Sequence, residues 1–362
     1  MTSSLPEISI QRIQGGAFAT AIRRLADAST RGATSSPVGQ SAGDQPQHLV
    51  DSQGAPSSDP DAQPLGAINR DRALVLGGGG ALGNAWVIGV IAGILDAGTN
   101  VTDADLIIGT SSGSTAAAQI MGDDPLALHA AILSAPMPDR RPPAPATSSQ
   151  VATSPPINHL QRTSEIIAAA HDLADMRQRL CASAMALDAS ADGTGSERWR
   201  ATVAARLPDP DWPRRALWIT AVDARTCESV VFDRQSGVGL ADAVAASCSS
   251  GEPFRIGDER FIDGGYRRSS DNADLAAGHA RVLVLSPFGG RSRAPLAWGM
   301  HLDAQAAELR AGGSAVETIL PDENARIAFG TSMIDLSRRV DAARAGYAQG
   351  RATAPTIRAF WS

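Results

Sequence analysis

Ser111 stands at the centre of Gly109-Thr110-Ser111-Ser112-Gly113, a G-x-S-x-G pentapeptide that follows the apolar run Leu106 to Ile108. A serine on a sharp strand-to-helix turn is held at an exposed corner, and glycines on either side let backbone and substrate come close. The chemistry this offers is nucleophilic attack on a carbonyl. Ser111 as a simple helix cap is the plainer alternative, but a cap needs no flanking glycines. Earlier in the chain, Gly78, Gly79 and Gly80 precede a helical pattern, and Gly83 follows one turn into it. Successive N–H groups at a helix N-terminus bind negative charge developing on an ester oxygen, which makes Gly78, Gly79 and Gly80 a candidate oxyanion hole. A third cluster, Asp263-Gly264-Gly265, ends an apolar run. Alone it reads as a turn, because Asp-Gly is a common turn pair. Beside a serine its carboxylate is a candidate base, since a hydroxyl is a poor nucleophile until a neighbour takes its proton.

Gly78-x-Gly80-x-x-Gly83 also fits a dinucleotide fingerprint. That reading needs an acidic residue at the end of the second strand to hold a ribose, and here the strand ends in Gly109-Thr110-Ser111.

The elements that must position these groups alternate between strand and helix. Arg72 to Leu76 reads as a buried strand, Ala81 to Leu95 as a helix stopped by Gly98, and Leu106 to Ile108 as the next strand. Pro125 opens a further helix, Leu160 to Leu187 reads as one long helix with His171 inside it, and Ala216 to Val222 and Ser229 to Phe232 read as strands. Val238 to Cys248 follows as a helix. Phe254 to Ile256 and Arg260 to Ile262 pair around Gly257-Asp258, and Arg281 to Leu285 is the last clear strand. Leu302 to Arg310 and Asp335 to Gln349 read as helices. The pattern is α/β, with a largely parallel central sheet and helices on both faces.

Residues 1–70 are rich in Ser, Gly, Pro, Gln and Asp and read as a disordered leader, with a short amphipathic helix over Ile8 to Asp27 as its one feature. The body runs over 71–350 with a Pro-rich insertion near 135–157, and 351–362 reads as a C-terminal tail. A net charge of −6 argues against a nucleic-acid partner. All 32 basic residues are arginines, which removes Schiff-base and Ser-x-x-Lys chemistry. Cys181, Cys227 and Cys248 are scattered, so neither a disulfide framework nor a metal site is expected. No apolar run spans a bilayer and no secretory signal is evident, so a cytoplasmic protein is expected.

The ordered set of Gly78-Gly79-Gly80-Ala81-Leu82-Gly83, Gly109-Thr110-Ser111-Ser112-Gly113 and Asp263-Gly264-Gly265 resembles the three blocks of the patatin-like phospholipase family, over residues 72 to about 290. The resemblance implies a Ser111–Asp263 dyad, an oxyanion hole in the Gly-rich turn, and hydrolysis of lipid acyl esters without metal or cofactor. Transient contact with a membrane surface is a separate expectation, suited to a lipid or acyl-ester substrate. Leu82 departs from the basic residue that members commonly carry, and residues 247–253 shorten the usual approach to the aspartate. A non-enzymatic binding module is the reading those departures suggest. A Ser-Asp-His hydrolase is a third reading, because His279 and His301 follow Asp263 in the chain. Chain order disfavours it: in that fold the elbow comes several strands in.

Overall fold

The computed structural model describes residues 11–13, 71–136 and 159–362. Among the described residues nine strands form one sheet: β1 (Gln11–Ile13), β2 (Arg72–Leu76), β3 (Leu106–Gly109), β4 (Ala216–Asp223), β5 (Ser229–Phe232), β6 (Phe254–Ile256), β7 (Glu259–Asp263), β8 (Arg281–Leu285) and β9 (Ala315–Ile319). The order is β1-β5-β4-β3-β2-β8-β9, with β7 pairing β4 and β6. Strands β4, β3, β2, β8 and β9 run parallel, so their carboxyl ends gather at one edge.

Period-two alternation sends side chains to both faces. Leu74, Leu76 and Ile107 join a core with the helices α1 (Gly80–Asp96), α2 (Ser112–Gly122) and α7 (Leu240–Ser247) and with the C-terminal helix. Ala73, Val75, Leu106 and Ile108 point the other way, onto Ala273, Leu275 and Ala276 and onto Leu302, Ala306 and Leu309 of α8 (Leu302–Ala311). Between these lie α3 (Pro125–Ser134), α4 (His159–Ala169), α5 (Leu173–Ser190) and α6 (Thr194–Ala204), and α9 (Glu323–Phe329) and α10 (Arg339–Trp361) close the chain. Among the described residues no helix is long and apolar enough to cross a membrane.

Several boundaries differ from the sequence reading. The long helix over 160–187 is two helices, because Asp172 caps a new one by accepting from the Asp175 N–H, while His171 sits exposed in the break. Ile166, Leu173, Met176 and Leu180 nonetheless pack in one cluster, as their spacing predicts. Residues 351–362 are not a tail but the end of α10, which buries Ile357 and Trp361. Strand β9 escapes the sequence because it is an edge strand in which only Val316 and Ile319 are buried, a spacing that does not alternate. At the other edge, residues 11–13 pair antiparallel with β5, so these three are strand where an amphipathic helix over 8–27 was expected. The rest of the leader and most of the Pro-rich insertion lie outside the described residues.

Strand β4 is the ruler for the site. Ile219 pairs with Phe232 of β5 and with Gly109 of β3, and Ala221 pairs with Val230 of β5 and with Asp263 of β7. With β5 on one edge, β3 and β7 must share the other, meeting end to end. The chain leaving β3 toward Ser111 and the chain arriving at Asp263 are therefore two β4 residues apart.

Candidate active site

The turn after β3 is made by the glycines the sequence singles out. A Cβ on Gly109 would come within 2.5 Å of the Ser114 Cα, and one on Gly113 would land on the Leu76 carbonyl oxygen. Ser111 between them takes φ 53 and ψ −126, a left-handed backbone that side chains rarely adopt. The backbone is held there by its partners. The Ser111 N–H donates to Ser247 Oγ at 2.9 Å, and its carbonyl accepts from the Ser114 N–H at 2.8 Å.

Across 152 residues of chain, Ser111 Oγ donates to Asp263 Oδ2 at 2.7 Å. The other carboxylate oxygen of Asp263 accepts from the Gly265 N–H at 2.8 Å, and its backbone N–H donates to the Ser249 carbonyl. Gly264 must be glycine, because a Cβ there would meet the Thr220 carbonyl and hydroxyl. Asp263 is 8% exposed. Burial pushes its carboxyl up to about 6, against the opposing pull of the Gly265 N–H and the Ser111 hydroxyl.

The Gly-rich turn lies against the elbow. A Cβ on Gly78 would sit 3.1 Å from the Ser111 Cβ, and Gly79 and Gly83 both face Pro287. The three candidate donors are differently engaged. The Gly78 N–H donates to the Ser270 carbonyl at 2.8 Å and the Gly79 N–H to Ser112 Oγ at 2.8 Å. The Gly80 N–H, at the head of α1, bonds to no described residue. Leu82 is fully buried in the core, and its N–H donates to the Met333 carbonyl.

The shortened segment 247–253 supplies the Ser247 hydroxyl and then one wall of a cavity of about 320 Å³, which Trp199, Cys248, Pro253 and Phe254 also line. The Cys248 thiol is pushed up to about 12, first by burial and then by the Asp263 charge. The other two cysteines are free, and among the described residues no cluster of three or more His, Cys, Asp or Glu could hold a metal.

Neither histidine bonds to Ser111 or Asp263. His279 is buried ahead of β8, with Nδ1 3.0 Å from the Ala276 carbonyl, and His301 is the residue before α8. Sequence reasoning missed Ser247, Thr110, Thr220 and Asn272. Ser247 belongs to an unpatterned Ser-rich run, Thr110 stands inside the pentapeptide without a role the sequence could assign, and Thr220 and Asn272 reach the site only through the fold.

A family model described as patatin-like phospholipase matches residues 74–277, more than half of the chain. Among solved structures, VipD from Legionella pneumophila is similar at 12% identity and a TM-score of 0.37, over 79% of this chain and 67% of that one. No curated protein matches the chain.

Proposed function

The chain belongs to the patatin-like phospholipase family of lipid acyl hydrolases, and from that premise we propose that it cleaves carboxylic esters of lipids with Ser111 as nucleophile and Asp263 as base. The observation that carries this reading is the 2.7 Å bond in which Ser111 Oγ already directs its proton at Asp263 Oδ2. A carboxyl raised to about 6 is still mostly ionised at neutral pH, yet is a better proton acceptor than an ordinary aspartate.

As Oγ attacks the ester carbonyl, Asp263 takes the proton and negative charge moves to the carbonyl oxygen. The Gly80 N–H and the positive end of α1 are available to that charge. The Gly79 N–H joins them once the Ser112 hydroxyl turns away, whereas the Gly78 N–H stays with Ser270 as part of the frame. Asp263 then returns its proton to the departing alcohol. A water deprotonated by Asp263 attacks the acyl-Ser111 ester, releasing the acid and restoring the serine. The substrate class is a phospholipid, lysophospholipid or simpler acyl ester, met by peripheral contact with a lipid surface.

A fluorophosphonate probe tests the assignment. It should label Ser111 and not Ser112, as read by intact mass and peptide mapping, and Ser111→Ala and Asp263→Asn should abolish ester hydrolysis. His279→Ala and His301→Ala should keep most of it. Labelling elsewhere, or none, removes Ser111 as nucleophile, and a folded His301→Ala as inactive as Ser111→Ala removes Asp263 as direct base.

A further inference from the structure

We propose that Asn272 is a positioning residue that holds the Ser111 elbow and the Asp263 turn in register, an inference that rests on the Ser111–Asp263 reading above. Its side chain is fully buried and its amide bridges the two halves of the site. Asn272 Nδ2 donates to the Thr110 hydroxyl at 3.0 Å and to the Gly264 carbonyl at 2.9 Å, with the Thr220 hydroxyl more distant at 3.4 Å. Thr110 is the residue before Ser111, and Gly264 the residue after Asp263. One NH₂ group therefore uses its two hydrogens to tie the neighbour of the nucleophile to the neighbour of the base.

The chemistry of the partners fixes which way the amide faces. Its Oδ1 accepts from Arg267 Nη1 at 3.1 Å, and a guanidinium has no acceptor to offer a flipped NH₂. The Gly264 carbonyl in turn has no proton to give. Arg267 is itself locked by a two-point pair with Asp274, at 2.9 and 2.7 Å.

The backbone at Asn272 is bent to serve this contact. It takes φ 50 and ψ 38, a left-handed conformation that asparagine tolerates better than most residues. Its loop is braced from α8. Gln305 is fully buried, its Oε1 accepts from the Ala273 N–H at 2.7 Å, and its Nε2 donates to Ser269 Oγ at 2.8 Å. The same loop holds the Gly-rich turn through Ser270, whose carbonyl accepts from the Gly78 N–H. Nucleophile, base and the Gly-rich turn thus share one anchor, and Asn272 carries the two bonds that set the dyad.

The test uses Asn272→Gly, which keeps the left-handed backbone and removes the whole side chain with its amide. With p-nitrophenyl butyrate, kcat should fall by about 10²-fold, the order expected for an ångström-scale misplacement, while KM changes less than about threefold. The acid limb of the pH profile should move upward, because Asp263 loses part of the Ser111 hydrogen bond that lowers its pKa. A merely structural residue would lower the melting temperature and leave the profile of the folded protein in place. Thr110→Val, which removes one anchor at nearly constant volume, should reproduce the kcat loss in smaller measure.

Ser111→Ala and Asp263→Asn run alongside. If either of them keeps hydrolysis, the site reading itself fails. If both are inactive while a folded Asn272→Gly keeps kcat within threefold and an unmoved acid limb, the positioning role alone is overturned. If Asn272→Gly does not fold, Thr110→Val decides, and parent-like kcat in that variant overturns the role.

Discussion

Ser247 Oγ accepts the backbone N–H of Ser111 at 2.9 Å, so a side chain from the end of α7 holds the Ser111 backbone in its left-handed turn. Ser247→Ala leaves that partly buried N–H unpaired. The expected cost is ~1–3 kcal/mol of stability, together with a several-fold loss of fluorophosphonate labelling rate at Ser111. Thermal melts and labelling kinetics check the two effects separately. An unchanged labelling rate would show that the glycines alone fix the elbow.

The acid limb of the hydrolysis profile should report Asp263. Its carboxyl, raised to about 6 by burial, must be ionised to take the serine proton. The prediction is that kcat/KM falls about tenfold per pH unit below about 6 and levels off above it. A soluble p-nitrophenyl ester assayed from pH 4.5 to 8 decides, and a flat profile between 5 and 7 would exclude Asp263 as the base.

Asp271 lies fully buried beside the Gly-rich turn, its Oδ1 only 2.5 Å from where a Cβ on Gly77 would be. Neither carboxyl oxygen makes a hydrogen bond with good geometry. Burial raises its pKa to about 6, from an ordinary 3.8, although the nearby Ser286 hydroxyl draws it back down in part. Its ionisation is thus penalised in the fold. Stability from this group is full below about 3.8 and declines as pH rises, and the penalty is complete above 6. That penalty is up to about 3 kcal/mol by the conversion of pKa to free energy. Asp271→Asn should therefore raise the melting temperature at pH 8 and change it little at pH 4. An equal effect at both values would mean the carboxyl does not titrate in this range.

The glycines divide into two kinds. At Gly113 an added methyl would meet the Leu76 carbonyl, a backbone atom that cannot yield, so Gly113→Ala should not give folded protein. At Gly78 the methyl would stand 3.1 Å from the Ser111 Cβ, at the mouth of the site. Gly78→Ala should fold, with hydrolysis reduced at least tenfold. Circular dichroism and ester turnover separate the two outcomes, and an active Gly78→Ala would mean that substrate does not approach from that side.

Much of the frame was legible because periodicity and glycine are local signals. Leu74 and Leu76 alternate with Ala73 and Val75 in the sequence as they do across the sheet, and the strand that ends at Gly109 is where the pattern puts it. Ser111 could be named as a candidate because glycines stand on both sides of it, and Asp263 because Gly264 follows it; at Gly109, Gly113 and Gly264 the backbone occupies the space a side chain would need. What was not legible depends on long-range pairing. Nothing local marks Asn272 or Ser247, since each acquires its partner only when segments far apart in the chain are packed together. The break at His171 hinged on a single capping carboxylate, and β9 on an edge position that blurs its pattern.

Helices α1 and α10 touch backbone to backbone. Gly89 and Gly93 face the carbonyls of Ala343 and Tyr347, while Gly346 and Gly350 face those of Trp86 and Val90, so a methyl at any of the four would strike the opposite main chain. Helix α1 is buried over nearly its whole length, yet the helix that covers this flank is made only after the last strand. On the ribosome, the segment that heads the Gly-rich turn therefore emerges long before its cover does. A nascent chain carrying Ser111, Asp263 and every described strand, but not yet α10, leaves one apolar flank of α1 uncovered. That flank of α1 is thus completed late in synthesis, and until then the half-made chain has a surface for chaperones to shield.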